Sequence, residues 1–237
     1  MTLSPERVAS LLSDPGAIRI RESERGSVWR VQLEDGHEGA LKIDRPPTLR
    51  SRWGAALRGS RAARARRAAL ALQAAGFLAP EPLALLEEAR RSVLLSRWIE
   101  GPTLSAAWAS ASRAEALTLA RATGELSARL HQAGFRCRDL KPPNLIVSPS
   151  GLALVDLDDV RTSAHVPMRL RRRNLSVLDA YGQVSAAPLG VRARSAGLHA
   201  YCALAQLEPR AELGPLLTKS RRKRAKLLQE QGASACP

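Results

Sequence analysis

The fold is decided by the stretch Arg138-Asp139-Leu140-Lys141-Pro142-Pro143-Asn144, which the apolar run Leu145–Val147 follows directly. The turn residues Ser148-Pro149-Ser150-Gly151 come next, and a second apolar run, Leu152–Val155, ends at Asp156. Two short apolar runs joined by such a turn predict a β-hairpin. The sequence therefore places a carboxylate and an amide before the hairpin and a second carboxylate at its end.

This order of side chains is similar to that of a protein-kinase catalytic site. In such a site an Asp faces the acceptor hydroxyl, and an Asn and a later Asp hold Mg²⁺ on the phosphates. Asp139, Asn144 and Asp156 stand at the matching positions. Asp and Asn also cap turns without any further role. That alternative accounts neither for the order of the parts nor for the helix ending at Leu130-His131 before them.

Length and charge allow several classes of partner. The chain has 237 residues, 45% of them hydrophobic, which suffices for one domain or two small lobes sharing a cleft. Its net charge of +15 favours polyanions such as nucleotides, phosphorylated glycans, anionic lipid or nucleic acid. An Arg-rich overall composition could produce the same excess. Nucleic acid is disfavoured because aromatic residues, which stack on bases, make up only 3% of the chain.

The cysteines and the N-terminus bear on the compartment. Cys137, Cys202 and Cys236 are odd in number and widely spaced, which fits neither a disulfide framework nor a zinc site. The first residues lack the basic start and apolar run of a signal peptide, and no apolar stretch is long enough to span a bilayer. These features predict a cytoplasmic protein in a reducing compartment, with only peripheral membrane contact.

The N-terminal region reads as a short helix followed by β-hairpins. After a helix over Pro5–Leu12, extended runs are predicted at 17–21, 27–33 and 39–43. The turn with Gly26 lies where a kinase covers the ATP phosphates with backbone N–H groups. Lys42, in Ala40-Leu41-Lys42-Ile43, matches the kinase lysine that binds the α- and β-phosphates. The alternative is a solvated lysine on an edge strand.

A helix rich in Ala and Arg is predicted over Ser60–Ala75, after a loop over 45–59. In a kinase this helix supplies a Glu that pairs with the strand lysine. No acidic residue lies between Asp44 and Glu81, and Ala65 stands about where that Glu would be. Lys42 is therefore expected to be positioned by Asp156 and the nucleotide alone.

The remaining pattern predicts two more strands and a helical C-terminal region. The strands are expected at 83–86 and 92–98, and a hinge between lobes near Glu100–Pro102. The capping box Ser112-x-x-Glu115 starts a helix that runs to about Ala133. Further helices are predicted near 171–181, 191–204 and 216–231. The predicted domains are an N-lobe of residues 1–100 and a C-lobe of residues 101–237, which together form one kinase-like domain.

At this point the chain resembles a family, the bacterial lipopolysaccharide core kinases that phosphorylate heptose and Kdo (3-deoxy-octulosonate) sugars. The Asp156-Leu157-Asp158 ending and the missing activation segment favour this branch over protein kinases. The resemblance implies an α+β, bilobal protein-kinase-like fold, with a small antiparallel-sheet N-lobe and a mainly helical C-lobe. It covers most of the chain and rests on these segments: 40–43, 74–76, 98–101, 130–140, 144–147 and 154–158.

The resemblance also implies roles for single residues in an ATP-dependent phosphotransferase. Asp139 would be the catalytic base, and Lys141 would neutralise charge on the γ-phosphate. Lys42 and Gly26 would bind the nucleotide, while Asn144 and Asp156 would hold Mg²⁺ and through it the phosphates. The implied partners are ATP and an anionic glycan or glycolipid acceptor, with possible contact at the inner face of the inner membrane.

Two departures from the family pattern leave alternatives open. Ala65 replaces the helix acid, and Cys137 replaces the His that usually precedes Arg-Asp. Cys137 is expected to be a packed small hydrophobe rather than a nucleophile. The alternatives are a kinase for protein Ser/Thr or for a small molecule, favoured by the protein-kinase-like Leu140-Lys141-Pro142, and a degenerate kinase-like binding module, favoured by Ala65.

Overall fold

The computed structural model describes residues 3–45, 59–89, 91–184 and 189–234. Most of the predicted loop at 45–59 therefore lies outside the described residues, as does Cys236. By its internal contacts the chain divides into two compact units. The first comprises Met1–Ile99 and Ala153–Val160, and the second Glu100–Leu152 and Arg161–Pro237. The predicted N-lobe and C-lobe stay a prediction.

The first unit is built on an antiparallel sheet. A short helix, α1 (Pro5–Ser13), begins where the side chain of Ser4 accepts a hydrogen bond from the N–H of Arg7. Among the described residues, five strands pair in the order β1-β2-β3-β5-β4. This confirms the predicted strands. Their bounds are β1 (Ile18–Ser23), β2 (Gly26–Gln32), β3 (Glu38–Asp44), β4 (Pro82–Glu87) and β5 (Ser92–Arg97).

The core of this unit explains why the strands form. Val31, Leu41 and Ile43 occupy alternate positions of β2 and β3 and share one face of the sheet. With Val93 of β5 they form an apolar surface that packs with Val8 of α1. Helix α2 (Arg61–Ala74) contacts β3, β4 and β5. Burying these side chains contributes roughly 1.5–3 kcal/mol for each large aliphatic one.

Helix α2 starts and stops where the sequence indicates. The side chain of Ser60 caps its first turn by accepting a hydrogen bond from the N–H of Ala63 at 3.0 Å. Gly76, just beyond its end, has a φ of +75°, which glycine adopts without strain. Its buried residues are alanines, Ala62, Ala65 and Ala69 among them, together with the larger Leu72. The helix can therefore pack closely on its neighbours.

The second unit is mainly helical. The predicted capping box is present, because Ser112 and Glu115 exchange side-chain to backbone hydrogen bonds. The short helix before it was not predicted, although Thr103 caps it by accepting from the N–H of Ala106. The helices are α3 (Leu104–Ser110), α4 (Arg113–Gln132), α5 (Met168–Val184), α6 (Val191–Ala205) and α7 (Pro209–Ser234).

Helices α4 and α6 cross at two glycines. A Cβ on Gly124 would lie 2.1 Å from the carbonyl oxygen of Gly197, and one on Gly197 would lie 2.8 Å from that of Ala120. Side chains larger than hydrogen would therefore force the backbones apart. Below the crossing, Ala128, Leu198 and Tyr201 form part of one buried cluster. The close approach fixes the position of α4, which leads into the stretch with Asp139.

Short strands complete the structure. The predicted hairpin is confirmed as β7 (Leu145–Ser148) and β8 (Gly151–Leu154). The Oγ of Ser148 donates to the carbonyl of Gly151 at 2.8 Å, which stabilises the turn. Strands β6 (Phe135–Cys137) and β9 (Val160–Thr162) form a second pair, which was not predicted. No helix within the described ranges combines the length and hydropathy that crossing a membrane requires.

Candidate active site

Lys42 lies on the internal strand β3, opposite Val28 of β2 and Leu94 of β5. Its neighbours Leu41 and Ile43 are buried in the core on the other face of the sheet. The alternation aims Lys42 away from that core, and its side chain remains 24% exposed. The alternative of a solvated lysine on an edge strand is wrong, because β3 pairs on both sides.

The structure brings Lys42 and Asp156 together. Lys42 Nζ donates to Asp156 Oδ1 at 2.5 Å and lies 3.8 Å from Asp158 Oδ1. Asp156 follows β8 with φ 61° and ψ 60°, a left-handed conformation that Asp adopts more readily than most residues. Such backbone strain is concentrated at functional sites.

The electrostatics of this cluster keep the lysine charged. Burial alone would lower the pKa of Lys42, but the carboxylates of Asp156, Asp44 and Asp158 outweigh it and raise this pKa. Burial raises the pKa of Asp158 and of Asp44, while Lys42 opposes both shifts. The lysine of this cluster is therefore an ammonium ion at neutral pH.

Helix α2 reaches the same cluster with arginines. Arg61 Nε lies 3.7 Å from Asp158 Oδ2, and Arg61 Nη1 lies 3.9 Å from Asp44 Oδ1. Arg64 Nε donates to the backbone carbonyl of Asp158 at 3.1 Å. The turn Leu157–Asp159 is thus bonded to α2 through both side chain and backbone.

The missing helix acid has a different consequence from the one expected. Ala65 is 4% exposed within α2 and supplies no carboxylate. However, the expectation that Asp156 and the nucleotide alone position Lys42 is wrong, because Asp158 and Asp44 also act on it. Sequence reasoning missed both. The spacing of Asp156-Leu157-Asp158 was the available signal, since a tight turn can aim two acids at one cation.

In the second unit, the predicted catalytic residues Asp139 and Lys141 and the predicted metal ligand Asn144 form one group. Lys141 Nζ lies 2.6 Å from Asp139 Oδ2. Asn144 Nδ2 donates to the carbonyl of Asp139 at 3.0 Å and lies 3.4 Å from Asp139 Oδ2. Asp139 is 47% exposed at its side chain, whereas Asn144 is buried. A short 3₁₀ turn, Pro142–Asn144, folds the amide back onto the carboxylate.

A buried network supports this loop from behind. Asn174 Nδ2 donates to the carbonyl of Cys137 at 2.9 Å, two residues before Asp139. Asn174 Oδ1 and the hydroxyl of Tyr201 lie 3.0 Å from the two ring nitrogens of His131. Since Asn174 Oδ1 only accepts, the Nε2 of His131 carries the proton and Nδ1 accepts from Tyr201. Asn174 and Tyr201 were not predicted, because no local pattern links them to the loop.

Cys137 behaves as a packed side chain, as expected. It is 2% exposed, and burial raises the pKa of its thiol to about 12. A thiol with such a pKa is neutral and unreactive at physiological pH. The position where the family usually has His thus contributes packing and a backbone carbonyl.

Tyr181 of α5 feels the charges of Lys141 and Asp139. Burial raises the pKa of its phenol. The charge of Lys141 opposes this shift, and the charge of Asp139 adds to it. Lys223 of α7 lies over its ring, with Nζ 5.9 Å from the ring centroid. Lys141 therefore pairs with Asp139 at 2.6 Å, while Lys223 pairs with the ring of Tyr181.

Gly26 has a structural reason to be glycine. It has a φ of +143°, and a Cβ there would lie 1.9 Å from the carbonyl oxygen of Ile43. The close approach of β2 to β3 excludes every larger residue. Contact between Gly26 and a phosphate remains a prediction.

Comparisons with known proteins show the family and the fold of this chain. The model of the lipopolysaccharide kinase (Kdo/WaaP) family matches residues 16–193. No curated protein matches the chain in sequence. A crystal structure of an aminoglycoside-3'-phosphotransferase of type VIII is similar, with a TM-score of 0.62 and 17% identity over 90% of this chain and 97% of that chain. At this identity the likeness shows the fold alone, and it confirms the predicted α+β protein-kinase-like fold.

The family match covers well over half of the 237 residues and includes β1 to β9 with Lys42, Asp139, Asn144 and Asp156. The chain is therefore a kinase, a phosphotransferase whose acceptor is a hydroxyl group. It belongs to the lipopolysaccharide kinase (Kdo/WaaP) family.

Proposed function

We propose that this kinase transfers the γ-phosphoryl group of ATP to a sugar hydroxyl, of heptose or Kdo, in the core of lipopolysaccharide. The observation that carries the proposal is the contact between Lys42 Nζ and Asp156 Oδ1 at 2.5 Å. It puts the cation assigned to the α- and β-phosphates beside the carboxylate assigned to the metal. Family membership supports the class of acceptor.

The donor set fits Mg²⁺ brought by a nucleotide. No group of three His, Cys, Asp or Glu within the described residues suits a metal. Mg²⁺ in such sites needs only one or two protein ligands, because phosphates and water supply the others. Each predicted ligand has oxygen chemistry of this kind within its own unit: Asp156 has a carboxylate that is 33% exposed, and Asn144 has a neutral amide oxygen. Bound Mg²⁺ would neutralise charge on the phosphates.

The transfer step is assigned to the loop side chains. Asp139 accepts a hydrogen bond from the acceptor hydroxyl and takes its proton as that oxygen bonds to the γ-phosphorus. The bond from the γ-phosphorus to the oxygen that leaves with ADP breaks in the same step. Lys141, at 2.6 Å from Asp139, stabilises the negative charge on the transferring group.

The charge of the chain supports an anionic acceptor. A net charge of +15 attracts phosphorylated glycans and repels cationic compounds such as aminoglycosides. Lys223, which lies over the ring of Tyr181, is the cation we assign to the acceptor, because Tyr181 feels the charges of Asp139 and Lys141. The same charge favours peripheral contact of a cytoplasmic protein with the anionic inner face of the inner membrane.

The test measures ADP release from ATP and Mg²⁺ with three acceptors: lipopolysaccharide core oligosaccharide, a generic Ser/Thr protein substrate and a cationic aminoglycoside. We expect turnover with the core oligosaccharide, and ³¹P NMR of the product should show a new phosphate monoester on a sugar. Asp139→Asn should lower turnover at least about 100-fold, because the proton acceptor is lost while the nucleotide ligands remain.

Glu125→Gln is the matched control, since it removes an exposed carboxylate from α4 of the same unit. It should leave turnover at the wild-type value. Turnover only with the protein or the aminoglycoside would refute the proposed acceptor. Equal background rates for wild type and Asp139→Asn would refute the enzyme and favour a binding module.

A further inference from the structure

Asp158 connects helix α2 to the lysine of β3. Its Oδ1 lies 3.8 Å from Lys42 Nζ, its Oδ2 lies 3.7 Å from Arg61 Nε, and its carbonyl accepts from Arg64 Nε at 3.1 Å. The two carboxylate oxygens thus face two different cations. Asp158 is also less exposed than Asp156, 16% against 33% at the side chain, so water screens its ion pairs less.

The charges on α2 are the reverse of the usual kinase arrangement. A kinase helix offers a Glu directly to the strand lysine. Here Arg61, Arg64 and Ala65 share one face of the helix, because they are three and four residues apart. That face presents cations and one small residue, and the cations contact the turn after β8. A carboxylate is then required between Lys42 of β3 and the arginines of α2.

We propose that Asp158 is the positioning residue that replaces the helix acid, bridging Lys42 to helix α2 through Arg61 and Arg64. The inference rests on the proposed function in assigning Lys42 to the nucleotide phosphates. Bound Mg²⁺ would draw on the charge of Asp156 and weaken its hold on Lys42. Asp158, whose Oδ1 lies 3.8 Å from Lys42 Nζ, would then orient the ammonium group together with the charge of Asp44. The loss of the acid at Ala65 is thereby compensated within this chain.

The kinetic test compares Asp158→Asn with Asp159→Asn, the neighbouring acid on the same turn. Asp158→Asn should raise the KM for ATP about 10-fold or more, leave the KM for the acceptor unchanged, and leave the Mg²⁺ requirement at saturating ATP unchanged. Asp158→Glu should restore part of the ATP affinity, since it keeps the charge. Asp159→Asn should match the wild type.

Two kinetic results would overturn the inference. If Asp158→Asn and Asp159→Asn give the same KM for ATP, Asp158 does not position the lysine. If Asp158→Asn instead raises the Mg²⁺ requirement, Asp158 is a metal ligand. Absence of turnover in the wild type itself would count against the proposed function only.

A second measurement needs neither nucleotide nor turnover, so it tests the bridge from Lys42 through Asp158 to α2 even if the wild type shows no turnover. Double-mutant cycles on the free energy of unfolding pair Asp158→Asn with Lys42→Met and with Arg61→Gln. Both cycles should show coupling that is absent from the matching cycles with Asp159→Asn. Coupling to only one cation, or to neither, would overturn the bridge even if every variant folds normally.

Discussion

At the residue scale, the buried His131 makes stability depend on pH. Burial lowers its pKa to about 4, against an ordinary value of 6.5. The unfolded chain therefore takes up this proton first, and stability is lost as the pH falls from about 6.5 towards 4. Over that window one proton changes the free energy of unfolding by about 1.4 kcal/mol per pH unit.

We expect the free energy of unfolding to fall less steeply with decreasing pH in His131→Gln than in the wild type. The difference in slope should correspond to one proton. The variant should be less stable at pH 7, because the bonds to Tyr201 and Asn174 are disturbed. Denaturant unfolding of both proteins between pH 4 and pH 8 measures the difference. Parallel profiles would show that His131 does not titrate in this range.

Lys223 allows a prediction about the acceptor. It lies over the ring of Tyr181, which feels the charges of Asp139 and Lys141. Lys223→Glu should raise the KM for an anionic acceptor about 10-fold and leave the KM for ATP unchanged, because like charges repel. Arg221→Glu, at an exposed position of the same helix, makes the same charge change as a control. If both variants raise the KM for the acceptor equally, the acceptor responds to the net charge of the protein and not to Lys223.

At the element scale, helix α2 has no room for the acid it lacks. Ala65 is 4% exposed, one turn after Arg61. Ala65→Glu should lower the free energy of unfolding by about 1–3 kcal/mol from overpacking, and should not raise turnover, since Asp158 already supplies the carboxylate. Leu70→Glu, an exposed site on α2, is the control for adding an acid. Faster turnover of Ala65→Glu would mean that Lys42 is poorly positioned in the wild type.

The same scale shows what the sequence could and could not predict. Strands and helices followed from local periodicity and caps, as for β3 around Lys42 and the capping box at Ser112. The partners of the site did not, because Asn174 is 37 residues from Cys137 and Tyr201 is 70 from His131. Such contacts depend on tertiary packing, which no local pattern encodes. Helix α3 was missed because Gly101-Pro102 before it indicated a loop.

At the scale of the whole molecule, nucleotide should stabilise the native state. Binding at about 100 times Kd adds about 2.7 kcal/mol, which for a chain of this size raises Tm by roughly 5–10 °C. Asp156→Asn should abolish most of this shift, whereas Glu125→Gln should retain it. Thermal unfolding with and without MgATP measures both. An unchanged Tm for the wild type at saturating MgATP would contradict nucleotide binding.

The crossing of α4 and α6 has a consequence for anyone redesigning this enzyme. Replacing a helical glycine by alanine is a standard route to a more heat-resistant protein, because it favours the helix by about 1 kcal/mol. At Gly124 the new methyl group would meet a carbonyl oxygen at 2.1 Å. The helices would have to separate, and the displacement would pass along α4 to the loop that holds Asp139. A consensus-driven stabilisation programme should leave this pair of glycines untouched.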